Sequence, residues 1–107
     1  MSNSEINPLK AFSRVASSTV SHVTRMRQET LFQDGELNAK TKVMAAMLWS
    51  VSVRCEPCLK FYAHKATELG ATEKEIGEML SIAPVMGACV GETWAAKAFS
   101  AAVTTDD

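Results

Sequence analysis

Apolar residues recur along this chain at intervals of three and four, and no run of β-branched residues alternates with polar ones, so the pattern predicts helices throughout and no sheet. From Pro8 to about Glu29, the residues Leu9, Phe12, Val15, Ala16, Val20, Val23 and Met26 form one stripe of an amphipathic helix, with Pro8 tolerated in its first turn. Asp34-Gly35 breaks the pattern and reads as a turn. A second helix starts near Asn38 and runs through Val53, and from Val43 to Val53 it carries no charge. Val43, Met44, Met47, Leu48 and Val51 share one face; Ala45, Ala46, Trp49 and Val53 fill the others. A helix apolar nearly all round and too short to cross a bilayer belongs in the core or at a subunit interface.

Pro57 cannot sit deep inside a helix, because it lacks an N–H and clashes with the preceding turn. It fits the first turn of a third helix, from about Cys55 to Leu69, which Gly70 stops in a left-handed conformation. Thr72-Glu73-Lys74-Glu75 spells a capping box that opens a short helix through Ile76, Met79, Leu80 and Ile82. Pro84 opens the last helix, where Gly87, Gly91 and Ala95 make a small-residue strip that lets another helix approach. The ends, about 1–7 and 104–107, are expected to fray. With no repeat or linker, the pattern describes an all-α bundle of about five helices in a single domain spanning residues 1–107.

Composition narrows the function classes. At 47% hydrophobic and 21% charged residues, the chain can fill a core and is not disordered. Lys+Arg 11 against Asp+Glu 12, with the signs interspersed, leaves no basic patch for nucleic acid or an anionic membrane. No uncharged apolar stretch approaches the roughly 18 residues of a spanning helix, and Met1–Asn7 is polar, so a cytoplasmic protein with no membrane partner is expected. A domain of 107 residues is short enough that a homo-oligomer is also expected.

The chemistry lies in three cysteines, an odd number that points to a free, reactive or metal-binding thiol. Cys55 and Cys58 stand three apart at a helix start, which places both sulfurs on one side of the first turn, close enough to bridge. The helix N-terminus favours a thiolate on Cys55; Arg54 and Lys60 push the same way, and Glu56 opposes them. A bland alternative is two buried apolar cysteines. Zinc held by Cys55, Cys58, Cys89 and a histidine would need Cys89 to return from another helix, and neither histidine has a good ligand spacing. Three thiolates are too few for the usual iron–sulfur cluster. No metal or other cofactor is therefore expected. Cys89 on the glycine strip reads as a small packing residue, with a third exchanging thiol as the sharper alternative. Trp49 and Trp94 read as core or interface anchors.

The stretch RCEPCLKFYAHKATELGATEKEIGEML, Arg54 to Leu80, resembles the core motif of the carboxymuconolactone decarboxylase superfamily, in its alkylhydroperoxidase D (AhpD)-like branch. Asp34-Gly35, Leu37 and Lys40-Thr41-Lys42 are similar to the family's lead-in to the buried helix, and Gly87-Ala88-Cys89 resembles a small-residue segment of some short members. The resemblance implies an all-α bundle assembling as a trimer or hexamer. It also implies a thiol peroxidase that reduces hydroperoxides through a thiolate, a sulfenic acid and an intramolecular disulfide, recycled by a thiol or dithiol reductant. By that resemblance Cys58 is the peroxidatic cysteine and Cys55 resolves it, whereas the helix dipole alone favours Cys55 as the more acidic thiol.

Two positions depart from the peroxidase pattern. Where it carries a histidine four residues after the second cysteine, this chain has Tyr62, with a histidine at His64; where it carries a glutamate twelve residues before the first cysteine, this chain has Val43. At about 100° per residue, Tyr62 lies about 20° from Cys55 and about 40° from Cys58, while His64 lies about 180° from Cys55. Tyr62 and His64 are the remaining candidates for proton handling, against the plainer readings of a packed aromatic and a surface histidine. A tyrosine phenol, being protonated at neutral pH, makes a poor base there. His22 is a further histidine that could enter from a neighbouring helix or subunit, and Glu36 is the nearest upstream acid. Two other functions fit the scaffold: a lyase like the decarboxylase that names the superfamily, and a non-enzymatic redox-sensing or metal-binding oligomeric module.

Overall fold

The structure, a computed structural model, describes residues 7–104. All regular elements among them are helices: α1 (Pro8–Val15), α2 (Ser17–Leu31), α3 (Ala39–Ser52), α4 (Glu56–Glu68), α5 (Glu73–Leu80) and α6 (Ile82–Val103). They fall into two compact units, one up to Lys42 and one from Val43.

In the first unit the predicted opening helix is present but divided. Ala16 leaves the helical region at φ −130°, ψ 46°, and separates α1 from α2. The run Ser17-Ser18-Thr19 follows at once, and such side chains compete for backbone groups and weaken helix continuation. Asn7, expected to fray, instead caps α1: its Oδ1 accepts the Lys10 N–H at 3.1 Å. The fraying expected for residues 1–6 and 105–107 lies outside the described residues. No residue of α1 or α2 is buried, and Leu9, Phe12, Val15 and Met26 of the apolar stripe are exposed. Asp34 and Asn38 build the turn into α3, accepting the N–H groups of Ala39 and Thr41, each at 2.8 Å.

In the second unit α3 buries Val43, Met44, Met47 and Ser50, whose hydroxyl donates to the Ala46 carbonyl at 2.7 Å. The helix is not covered all round within the protomer, because Ala45, Trp49 and Val53 stay exposed. Ala66 of α4 and Ala71 after it complete the buried set. The α4 helix ends in a Schellman motif. Gly70, at φ 93°, bonds to the Thr67 carbonyl and Ala71 bonds to that of Ala66, as the sequence predicts. The capping box also forms, with Glu75 N–H on Thr72 Oγ1 at 3.0 Å and Thr72 N–H on Glu75 Oε1 at 2.9 Å.

The last helix starts earlier than its proline suggests. Ser81 keeps helical dihedrals (φ −64°, ψ −19°), so α5 passes almost directly into α6 and Pro84 is the third residue of α6. Proline costs little there, since the first N–H groups of a helix have no intrahelical acceptor. Thr104, also expected to fray, bonds through its N–H and its hydroxyl to the Ser100 carbonyl. No residue of α6 is buried. Ile82, Val85, Met86, Val90, Trp94 and Phe99 are all exposed, and nothing within the protomer comes within 4 Å of a Cβ built at Gly87 or Gly91. Among the described residues the stretch Glu73–Val103 is long and apolar enough to cross a membrane by length and composition, with a mean hydropathy of 1.2 over 18 residues. The charges Glu92 and Lys97 lie within α6.

Candidate active site

Cys55 and Cys58 form a disulfide with their Cα atoms 5.2 Å apart, inside the range that unstrained bridging requires. Both are half-buried. Cys55 is the N-cap residue of α4, with Pro57 in the first turn.

The backbone before the disulfide explains its placement. The end of α3 is a second Schellman motif, in which Arg54 N–H bonds to the Val51 carbonyl at 3.2 Å and Cys55 N–H to the Ser50 carbonyl at 2.9 Å. The left-handed position that Gly70 fills after α4 is filled here by Arg54, at φ 62°. An L-residue there costs roughly 1 kcal/mol relative to glycine. Cys55 also accepts the Leu59 N–H at 2.9 Å on its own carbonyl. It thus belongs to two helix ends at once. Arg54→Gly is expected to raise stability by about 1 kcal/mol, read from the denaturation midpoint of the reduced protein, because Arg54 is exposed and the φ strain is relieved.

Around the pair, the Glu56 carboxylate is 3.2 Å from Lys60 Nζ on the exposed side of α4. Tyr62 is half-buried, its ring edge-on to Phe61 at 5.0 Å between centroids. His64 is exposed, with Nε2 3.1 Å from Glu68 Oε2 on the solvent side of the same helix. Val43 is fully buried. His22 is exposed on α2 and holds the Ser18 carbonyl at 2.7 Å through Nδ1; Glu36 is also exposed. Cys89 is a free, exposed thiol on α6, not packed against any helix of its own protomer at the flanking glycines. Among the described residues no three His, Cys, Asp or Glu side chains gather as a metal site would require.

Two features escaped the sequence reading. One is the left-handed Arg54, for which no Gly or Asn gave a signal. The other is an open groove of about 1240 Å³ in the second unit, lined by Leu48, Trp49, Leu59, Met86 and Val90, with Arg54 and Glu56 on either side of Cys55. Its lining was legible only as helical packing positions, since the spacing of Met86 and Val90 is equally that of a buried face.

Comparison with known proteins agrees with the motif. An uncharacterized protein of Cupriavidus necator is 34% identical over 68 residues, which cover 64% of this chain and 60% of that protein, so the match spans less than two thirds of the relative. No solved structure matches the chain. Residues 19–101 match the carboxymuconolactone decarboxylase family, taking in the disulfide, the capping box and most of α6, and the chain belongs to that family.

Proposed function

We propose that this protein is a thiol peroxidase of the AhpD-like type, and the observation that carries the reading is the Cys55–Cys58 disulfide at the N-terminus of α4. In the dithiol form Cys58 gives up its proton, and the thiolate so formed attacks the terminal oxygen of a hydroperoxide. The O–O bond breaks, an alcohol leaves after taking a proton, and Cys58 becomes a sulfenic acid. Cys55 attacks that sulfur, water leaves and the disulfide forms. A thiol or dithiol reductant supplies two electrons to restore the pair. With Val43 buried and His64 held by Glu68 at the surface, no residue of this chain is assigned the Glu–His proton relay, so turnover is slow or confined to activated peroxides. Reductant-dependent peroxide consumption tests the reading. Activity that is equal in the wild type and in Cys58→Ser overturns it.

The active form is a homo-oligomer, a trimer or hexamer, in the cytoplasm. Support comes from α6, whose apolar side chains are exposed and whose glycines meet nothing within the protomer. Protein is a better cover than lipid for a helix that carries Glu92 and Lys97 along with Gly87 and Gly91. Gly91→Ala gives this a signed test. In an isolated helix the change stabilises by about 1 kcal/mol through propensity. Where a second helix lies on the strip, the added methyl instead weakens association, and a lowered oligomer mass by light scattering is the expected result.

A further inference from the structure

Three helices of this chain begin in the same way. The N-cap side chain accepts the N–H three residues on: Asn7 from Lys10 at 3.1 Å, Asn38 from Thr41 at 2.8 Å, and Thr72 from Glu75 at 3.0 Å. The N-cap of α4 is Cys55, and the residue three on is Cys58. The Cys55 backbone (φ −91°, ψ 94°) is close to that of Asn7 (φ −71°, ψ 106°), which does cap its helix. Yet no side chain caps α4, because the Cys55 sulfur is bonded to the Cys58 sulfur. Pro57 has no N–H, so within this first turn the Cys58 N–H is the donor an N-cap acceptor can take.

We infer that reduction turns Cys55 into the cap of α4, its sulfur accepting the Cys58 N–H as a thiolate, and that Cys55 is therefore the sulfur that departs when the disulfide is reduced. In the disulfide form the Cys55 sulfur makes no such bond. In recycling, a thiolate of the reductant attacks Cys58 Sγ, the Cys55–Cys58 bond breaks and its electron pair leaves on Cys55 Sγ. The second thiol of the reductant then displaces Cys58, which leaves and is protonated, and the reductant is oxidised to its own disulfide. The better-stabilised thiolate leaves faster, which fixes the sulfur under attack. The neighbouring charges are Arg54 and the Glu56–Lys60 ion pair, which leave the backbone donor as the directional element. The same ionised Cys55 is ready to resolve a Cys58 sulfenic acid.

The inference rests on the pair cycling between dithiol and disulfide, and its test needs no peroxide turnover. Reduced protein given a trace of iodoacetamide near neutral pH, then mapped by peptide mass spectrometry, is expected to carry label on Cys55 about tenfold more often than on Cys58. Both residues are half-buried in the disulfide form, and labelling of the denatured, reduced protein supplies the reference ratio. Equal labelling, or preference for Cys58, overturns the assignment. Melting the single variants Cys55→Ser and Cys55→Ala gives a second readout, because neither can form the disulfide and the serine hydroxyl keeps a cap that alanine lacks. Cys55→Ala is expected to melt roughly 5 °C lower, and coincident curves overturn the capping role. An inactive peroxidase with Cys55 labelled first would sink the proposed activity and leave this assignment standing.

Discussion

Cys58→Ser is expected to abolish reductant-dependent peroxide consumption, with a fall in kcat/KM of about 10³-fold or more, which corresponds to about 4 kcal/mol of transition-state stabilisation. A serine hydroxyl in the same place is not ionised at neutral pH, cannot form a sulfenic acid and cannot close a disulfide. Cys55→Ser is expected to behave differently. Cys58 survives to attack one equivalent of peroxide, so a single turnover is retained while steady-state turnover fails. Product counted per protomer separates the two variants. A lyase or a metal module predicts no such difference, because neither needs the two thiols in succession.

The second large effect concerns α6. Val90→Glu, in the apolar groove, is expected to dissociate the proposed homo-oligomer and lower stability by about 2–4 kcal/mol, measured by sedimentation and by urea denaturation at matched concentration. The reasoning is one of burial. The protomer fully covers the side chains of Met47, Val43 and Ser50, and none from α6, while Ile82, Met86, Trp94 and Phe99 face outward. A carboxylate on a solvated helix face changes stability by only a few tenths of a kcal/mol. A wild-type mass with unchanged denaturation in Val90→Glu would mean that this surface is free in solution.

How legible this was in the sequence depended on where the deciding force acts. Local rules were readable residue by residue. Thr72 and Glu75 form the predicted reciprocal cap, Gly70 takes the left-handed stop, and Cys55 and Cys58 meet because a spacing of three at a helix start places both sulfurs on one side of the first turn. The break at Ala16 was less readable, since the apolar stripe runs straight through it and only the weak propensities of Ser17-Ser18-Thr19 disagree. Ser81 likewise carries no signal that α5 runs on into α6, and the proline that drew attention sits harmlessly in the first turn. Arg54 was invisible because its conformation is imposed by the bonds that end α3, its own N–H on the Val51 carbonyl and the Cys55 N–H on the Ser50 carbonyl, not by its own preference. The proton-handling candidates divide in the same manner. Helical angle alone turned His64 away from Cys55, and the structure finds it on Glu68, whereas the environment of Tyr62 against Phe61 needed the coordinates.

The double attachment of Cys55 has a mechanical consequence. Its N–H is fixed to a carbonyl near the end of α3 and its own carbonyl receives the first bond of α4, so both helices grip the residue through main chain. Making or breaking the sulfur–sulfur bond is then expected to take a side-chain rotation, with neither helix acquiring a new direction. The redox event stays where it occurs: the site is built like an electrode, which passes charge and returns to its starting shape, and not like a relay whose contacts must travel.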